Sequence, residues 1–178
     1  MPRGFEIMIL SVCLIVGIVL FDQITKWIVV ETIPLHGRVP FLEGFVEFYH
    51  IRNEGAAWGM LADHRRVFLV FSTVGIIGMC YVLYKYGKES ALMRWAIAFI
   101  VGGGIGNMID RLFRVGEAGE HFVVDFLNFQ FISFPVFNVA DSFISIGAVL
   151  FVLYVIKDEI IATMKKKGET DDRKTSDN

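Results

Sequence analysis

The chain has 178 residues, 54% of them hydrophobic and 14% aromatic, with a mean hydropathy of +0.56. That exceeds the roughly 45–50% apolar share of ordinary soluble domains and points to a membrane protein. A formal net charge of -2 holds no basic surplus and gives no sign of nucleic-acid binding. Cys13 and Cys80 lie in apolar runs without CxxC spacing, so they read as small buried hydrophobes and a cysteine zinc site is excluded.

Taken in order, the chain predicts four membrane-spanning helices, at about 5–30, 67–84, 91–109 and 136–156. Each is near the roughly 20 residues that a bilayer core requires. The first run exceeds a signal-peptide core of about 7–15 residues, and no small-residue cleavage site follows it. It closes on Asp22 and Lys26, four apart on one helix face, either an interfacial ion pair or a brace beside a site. A polar region over 32–66 is broken by Pro34, Gly37, Pro40 and Gly44. Within it, 45–51 alternates and is rich in Phe, Val, Tyr and Ile, which predicts a strand. Asn53-Glu54-Gly55-Ala56-Ala57-Trp58-Gly59 then predicts a tight turn lying on the bilayer, with Trp58 at headgroup level. Residues 1–164 read as one membrane-embedded domain and 165–178 as a disordered polar tail.

Four spans put both termini on one side. Ten of the seventeen Lys and Arg residues fall there, which places the termini in the cytoplasm and the polar regions outside.

The third span ends in Gly102-Gly103-Gly104-Ile105-Gly106-Asn107-Met108-Ile109-Asp110-Arg111. No strand precedes these glycines, so close helix packing by the Gly102/Gly106 pair is the stronger reading than phosphate binding. Gly103, Asn107, Asp110 and Arg111 share a face by helical spacing and form a polar wall. In the fourth span Asn138, Asp141, Ser142 and Ser145 form one polar stripe, and Pro135 fits the first helical turn. Asp141 then lies in the first two turns, where the helix dipole favours negative charge. A stripe this polar faces the bundle interior or a wet cavity.

Asp125 lies sixteen residues earlier, in a linker with Phe122, Val123, Val124, Phe126 and Leu127. Carboxylates in such surroundings are functional candidates by default. Two of them brought together share a proton. One then acts as base on a water while the other polarises a carbonyl, which suits peptide hydrolysis without a metal. His36, His50, His64 and His121 show neither HExxH nor His-x-His spacing, so they read as surface histidines rather than a metal site. A serine site lacks the G-x-S-x-G elbow. A small transporter or proton channel is the alternative, because intramembrane carboxylates also mark ion paths; the charges here gather at the outer ends of the spans instead.

These motifs together resemble the lipoprotein signal peptidase family, signal peptidase II. The resemblance rests on Asp22 with Lys26, Asn53-Glu54-Gly55-Ala56-Ala57, Gly106-Asn107-Met108-Ile109-Asp110-Arg111, Val124-Asp125-Phe126 and Phe137-Asn138-Val139-Ala140-Asp141, in that order against four spans. It implies an α-helical membrane protein with four transmembrane helices and a small extracytoplasmic β-sheet cradle. It implies a bacterial inner-membrane aspartic endopeptidase that cuts diacylglyceryl-modified prolipoproteins on the amino side of the lipidated cysteine. By motif position Asp125 and Asp141 match the catalytic pair. Asn53, Gly55, Asn107, Arg111, Asn138 and Ala140 match substrate-binding positions, and Asp22, Lys26 and Asp110 match supporting ones. No cofactor is implied; membrane lipid is a partner, globomycin an expected inhibitor and a monomer the expected state. Trp58 stands where the family usually has Phe, which keeps an aromatic there. On this reading the glycine face of the third helix leaves room for a substrate helix.

Overall fold

The computed structural model describes residues 3–55 and 65–176. In chain order these form α1 (Arg3–Thr32), β1 (Arg38–Leu42), β2 (Val46–Asn53), α2 (Arg65–Tyr86), α3 (Ala91–Phe113), β3 (Val123–Phe129) and α4 (Val139–Ser176). All four helices are long and apolar enough to cross a membrane. Large side chains on their outer faces, such as Leu20, Phe71 and Val149, are exposed. They would meet lipid, where exposure of apolar surface has no cost.

The helix α3 is the hub and packs chiefly on α4 and α1. Its glycines allow the close approach. A Cβ at Gly102 would lie 2.9 Å from Ile18, and one at Gly106 would lie 2.6 Å from Asp22 Oδ2, so this pair seats α1. A Cβ at Gly103 would lie 2.4 Å from the Ala140 carbonyl oxygen of α4. The glycine stripe is therefore filled by neighbouring helices and leaves no room for a substrate helix. Around it, Met93, Ile97 and Val101 form a buried core with Ile15, Ile76 and Phe151 from the other helices.

This packing separates two otherwise similar substitutions. Gly103→Ala forces backbone apart and should cost roughly 1–3 kcal/mol. At Gly104 a Cβ would meet only Ile76 side-chain carbons at 3.4 Å, so Gly104→Ala should be close to neutral. Thermal unfolding of the two variants in detergent checks the difference.

The strands form one antiparallel sheet in the order β1-β2-β3. The predicted strand at 45–51 is β2. Neither of its partners was read as a strand. Pro40 argues against one at β1, and the structure keeps it on an edge strand, where a missing N–H is tolerated. The β3 run looks like a hydrophobic linker because Val123, Val124, Asp125 and Phe126 are all buried, so no alternation appears. Val124 and Phe126 join Val29 of α1 and Ile33 just after it in a second core, which seats the sheet on the end of α1.

Three further boundaries differ from the sequence reading. The third helix runs to Phe113, four residues past its predicted end. The fourth begins at Val139, so Pro135 precedes it rather than filling its first turn. Helix also continues to Ser176, through most of the tail read as disordered. An established helix extends cheaply into residues such as Lys and Glu. Trp58 and His64 lie outside the described residues.

Candidate active site

The site is assembled on a buried charge cluster at one end of the bundle. Asp22, Lys26 and Asp110 have fully buried side chains. Lys26 Nζ lies 2.8 Å from Asp22 Oδ2 and 3.0 Å from Asp110 Oδ2. Each carboxylate also holds a separate segment. The Ala140 N–H at the start of α4 donates to Asp22 Oδ1 at 2.9 Å, and the Val124 N–H of β3 donates to Asp110 Oδ2 at 3.2 Å. One ion cluster thereby fixes α1, α3, β3 and α4 together.

Lys26 also donates to Asn107 Oδ1 at 2.9 Å, as does Asn138 Nδ2 at 3.0 Å. With its oxygen engaged twice, the Asn107 amide turns Nδ2 toward Asp141 Oδ1, at 2.7 Å. A neutral amide in this place has its orientation decided by a buried cation.

Asp125 comes from β3 and Asp141 from the first turn of α4. Two features bring these segments together. Phe137 and Leu127 exchange backbone hydrogen bonds of 3.0 and 2.7 Å just before the helix. Asn138 then caps α4: the Asp141 N–H donates to Asn138 Oδ1 at 3.0 Å, and the Asn138 N–H donates to Asp141 Oδ2 at 3.1 Å. This reciprocal pairing is a capping box built from Asn and Asp. The capping side chain has a second task, because its Nδ2 donates to Asp125 Oδ1 at 2.7 Å. Asn53, diagonal to Asp125 across the β2–β3 ladder, donates to its Oδ2 at 2.8 Å.

Both aspartates line a cleft of about 880 Å³, with Asn53, Gly55, Asn107 and Arg111 around them. Phe129, Phe134 and Phe137 form an apolar wall, and Ser142 and Ser145 extend the polar stripe into it. Arg111 Nη2 donates to the Gly55 carbonyl at 3.1 Å, tying α3 to the end of β2. The Asp125 carboxyl is pushed up from 3.8 to about 7. Burial is the main cause and the nearby Asp141 charge adds to it; hydrogen bonds from Asn53 and Asn138 and the Lys26 charge oppose them.

Nearly every residue singled out from the sequence converges here, but in different positions. Asn138 and Ala140 are fully buried behind the cleft rather than on its wall. Sequence reasoning missed Gln23 and Arg114. Gln23 Nε2 lies 3.1 Å from Asp22 Oδ2, the Gly106 carbonyl and Asp110 Oδ1. Arg114 Nε donates to Asp110 Oδ1 at 2.9 Å. The four-residue spacing of Asp110 and Arg114 was the available signal; for Gln23 there was none. His36 takes a positive φ of 64° in the turn before β1, and His50 Nδ1 lies 2.7 Å from the Ile33 carbonyl. Among the described residues, no three His, Cys, Asp or Glu side chains cluster so as to hold a metal ion.

Comparison with known proteins gives the same picture. The family model for signal peptidase II matches residues 14–157. The lipoprotein signal peptidase of Bacillus pumilus is 40% identical over 139 residues, spanning 77% of this chain and 86% of that one. The Enterococcus faecalis lipoprotein signal peptidase is 36% identical over 168 residues, spanning 94% and 99%. A solved bacterial membrane enzyme superposes with a TM-score of 0.76 at 32% identity, covering 84% of this chain and 88% of that one. With motifs, fold and relatives in agreement, the chain belongs to the signal peptidase II family, and it is a peptidase.

Proposed function

We propose that the chain removes signal peptides from diacylglyceryl-modified prolipoproteins by aspartic catalysis, cutting on the amino side of the lipidated cysteine. The observation that carries the mechanism is the double role of Asn138. Its side chain binds Asp125 and its backbone N–H binds Asp141, so two carboxylates face one cleft at a fixed spacing. Asp125, raised to about 7, carries the shared proton and donates it toward the scissile carbonyl. Asp141 receives hydrogen bonds at a helix N-terminus, which favours negative charge, and it draws a proton from the attacking water. The tetrahedral intermediate collapses as Asp141 returns that proton to the leaving nitrogen and Asp125 takes its own back from the diol hydroxyl. The apolar wall of the cleft suits the lipid-linked residue, whose acyl chains stay in the bilayer.

In this reading the termini are cytoplasmic, the cleft faces outward, the protein acts as a monomer and globomycin competes for the cleft. A transporter is disfavoured by the bundle itself. Among the described residues the buried charged groups collect at one end, and Ile18, Ile97 and Val101 close the interior beyond them.

The purified chain in detergent should convert diacylglyceryl prolipoprotein to a shorter lipoprotein and leave the unlipidated precursor largely uncut. Equal cleavage of the two would remove the lipid from the specificity. Because Asp125 must hold a proton, kcat/KM should fall on the alkaline side with an apparent pKa near 7. A rate that stays level through pH 9 would contradict that assignment.

A further inference from the structure

A second cleft, of about 580 Å³, opens at the other end of the bundle between the start of α1, the end of α2 and the start of α3. Phe5, Met8 and Leu83 give it an apolar wall, and Lys85, Lys88 and Arg94 give it a cationic rim. Among the described residues no carboxylate lines it; Glu6 and Glu89 neighbour lining residues in the chain. Among the described residues none of these three cations is in an ion pair. Lys85 Nζ instead lies 5.0 Å from the centre of the Tyr86 ring, and Arg94 Nη1 donates to the Gly87 carbonyl at 3.2 Å.

The location narrows the ligand. Two apolar spans, Leu69–Tyr86 and Ala91–Phe113, meet at this link, so the rim lies at headgroup depth and the wall points into hydrocarbon. An apolar slot under three cations that form no ion pair among the described residues fits an amphiphile with an anionic head. We propose that this cleft binds an anionic phospholipid, its phosphate against Lys85, Lys88 and Arg94 and an acyl chain along Phe5, Met8 and Leu83. A zwitterionic lipid would bring its own cation toward the rim. Each basic residue near an anionic lipid is worth roughly fivefold in binding.

Native mass spectrometry of the full chain tests this, with micelles supplemented by phosphatidylglycerol or phosphatidylcholine. Wild type should retain phosphatidylglycerol at least about tenfold over phosphatidylcholine. The Lys85→Gln/Lys88→Gln variant should lose about 25-fold in phosphatidylglycerol retention. Lys85→Arg/Lys88→Arg should keep it, which separates charge from misfolding. Equal retention of the two lipids, or a Gln variant that retains lipid as wild type does, would overturn the proposal. Displacement by millimolar inorganic phosphate would also overturn it, by identifying a free-anion site. Peptidase activity plays no part in the readout, so the result is independent of the proposed catalytic mechanism.

Discussion

Asp125→Asn is expected to lower prolipoprotein cleavage by at least about 1,000-fold while leaving the protein folded. The side chain keeps its shape and fits the space between Asn53 and Asn138, with its new NH2 toward Asn53, whose amide must turn to accept from it, but it can no longer carry the shared proton. Its effect on stability has a defined sign. In the folded protein Asp125 titrates near 7, against an ordinary value of 3.8. Below about pH 4 the group is protonated in both folded and unfolded chains and adds no pH dependence. Between those values the unfolded chain has released its proton and the folded one has not, so wild type loses stability as pH rises. Above about 7 the loss is complete and amounts to a few kcal/mol. The Asn variant lacks this titration. The Tm difference, variant minus wild type, should therefore rise from pH 4 to pH 7 and then level off. A pH-independent difference would mean that Asp125 is not held protonated by its surroundings.

Lys26→Met should produce the largest loss of stability, about 3–5 kcal/mol. Met fills most of the Lys volume, so packing changes little. What changes is charge: of the two carboxylates without solvent exposure, Asp110 keeps Arg114, whereas Asp22 is left with no cation among the described residues. A buried carboxylate without a partner is far costlier than the ion pair was beneficial. The substitution also frees one of the two bonds on Asn107 Oδ1, so the amide that holds Asp141 is less firmly oriented. Lys26→Met/Asp22→Asn should recover part of the Tm, because the carboxylate left without a cation is gone, yet leave kcat low because Asn107 Oδ1 keeps only its bond from Asn138. An unchanged Tm in the single variant would show that the cluster is not the brace described here.

The legible and illegible parts of this molecule divide along physical lines. Spans were legible because a bilayer demands runs of apolar residues, and polar interruptions at Asn107, Asp110, Asn138 and Asp141 stand out against them. The strand β2 was legible from its Phe, Val, Tyr and Ile content, although its burial does not alternate: its buried residues, Glu47 and His50, are three apart. Its partner β3 was not, because Val123 to Phe126 are buried on both faces and lose the period of two. The start of α4 was misplaced by Pro135, a residue equally at home before a helix; the decisive signal was the Asn138/Asp141 capping pair. The roles of Asn138 and Ala140 as buried supports required coordinates, because motif spacing names a residue without saying which way it faces. The same holds for the glycines of α3, whose smooth stripe is taken up by Ile18, Asp22 and Ala140.

The central claim is that Asp125 and Asp141 together hydrolyse the peptide bond without a metal ion. Its most direct test is a gel-shift assay on purified diacylglyceryl prolipoprotein with a strong chelator present throughout. Wild type, Asp125→Asn and Asp141→Asn are run side by side, each with a folding check by thermal unfolding. The account predicts full cleavage by wild type and none by either folded variant. Cleavage by a folded variant at the wild-type rate, or wild-type activity that disappears with chelator and returns with added metal, would contradict it.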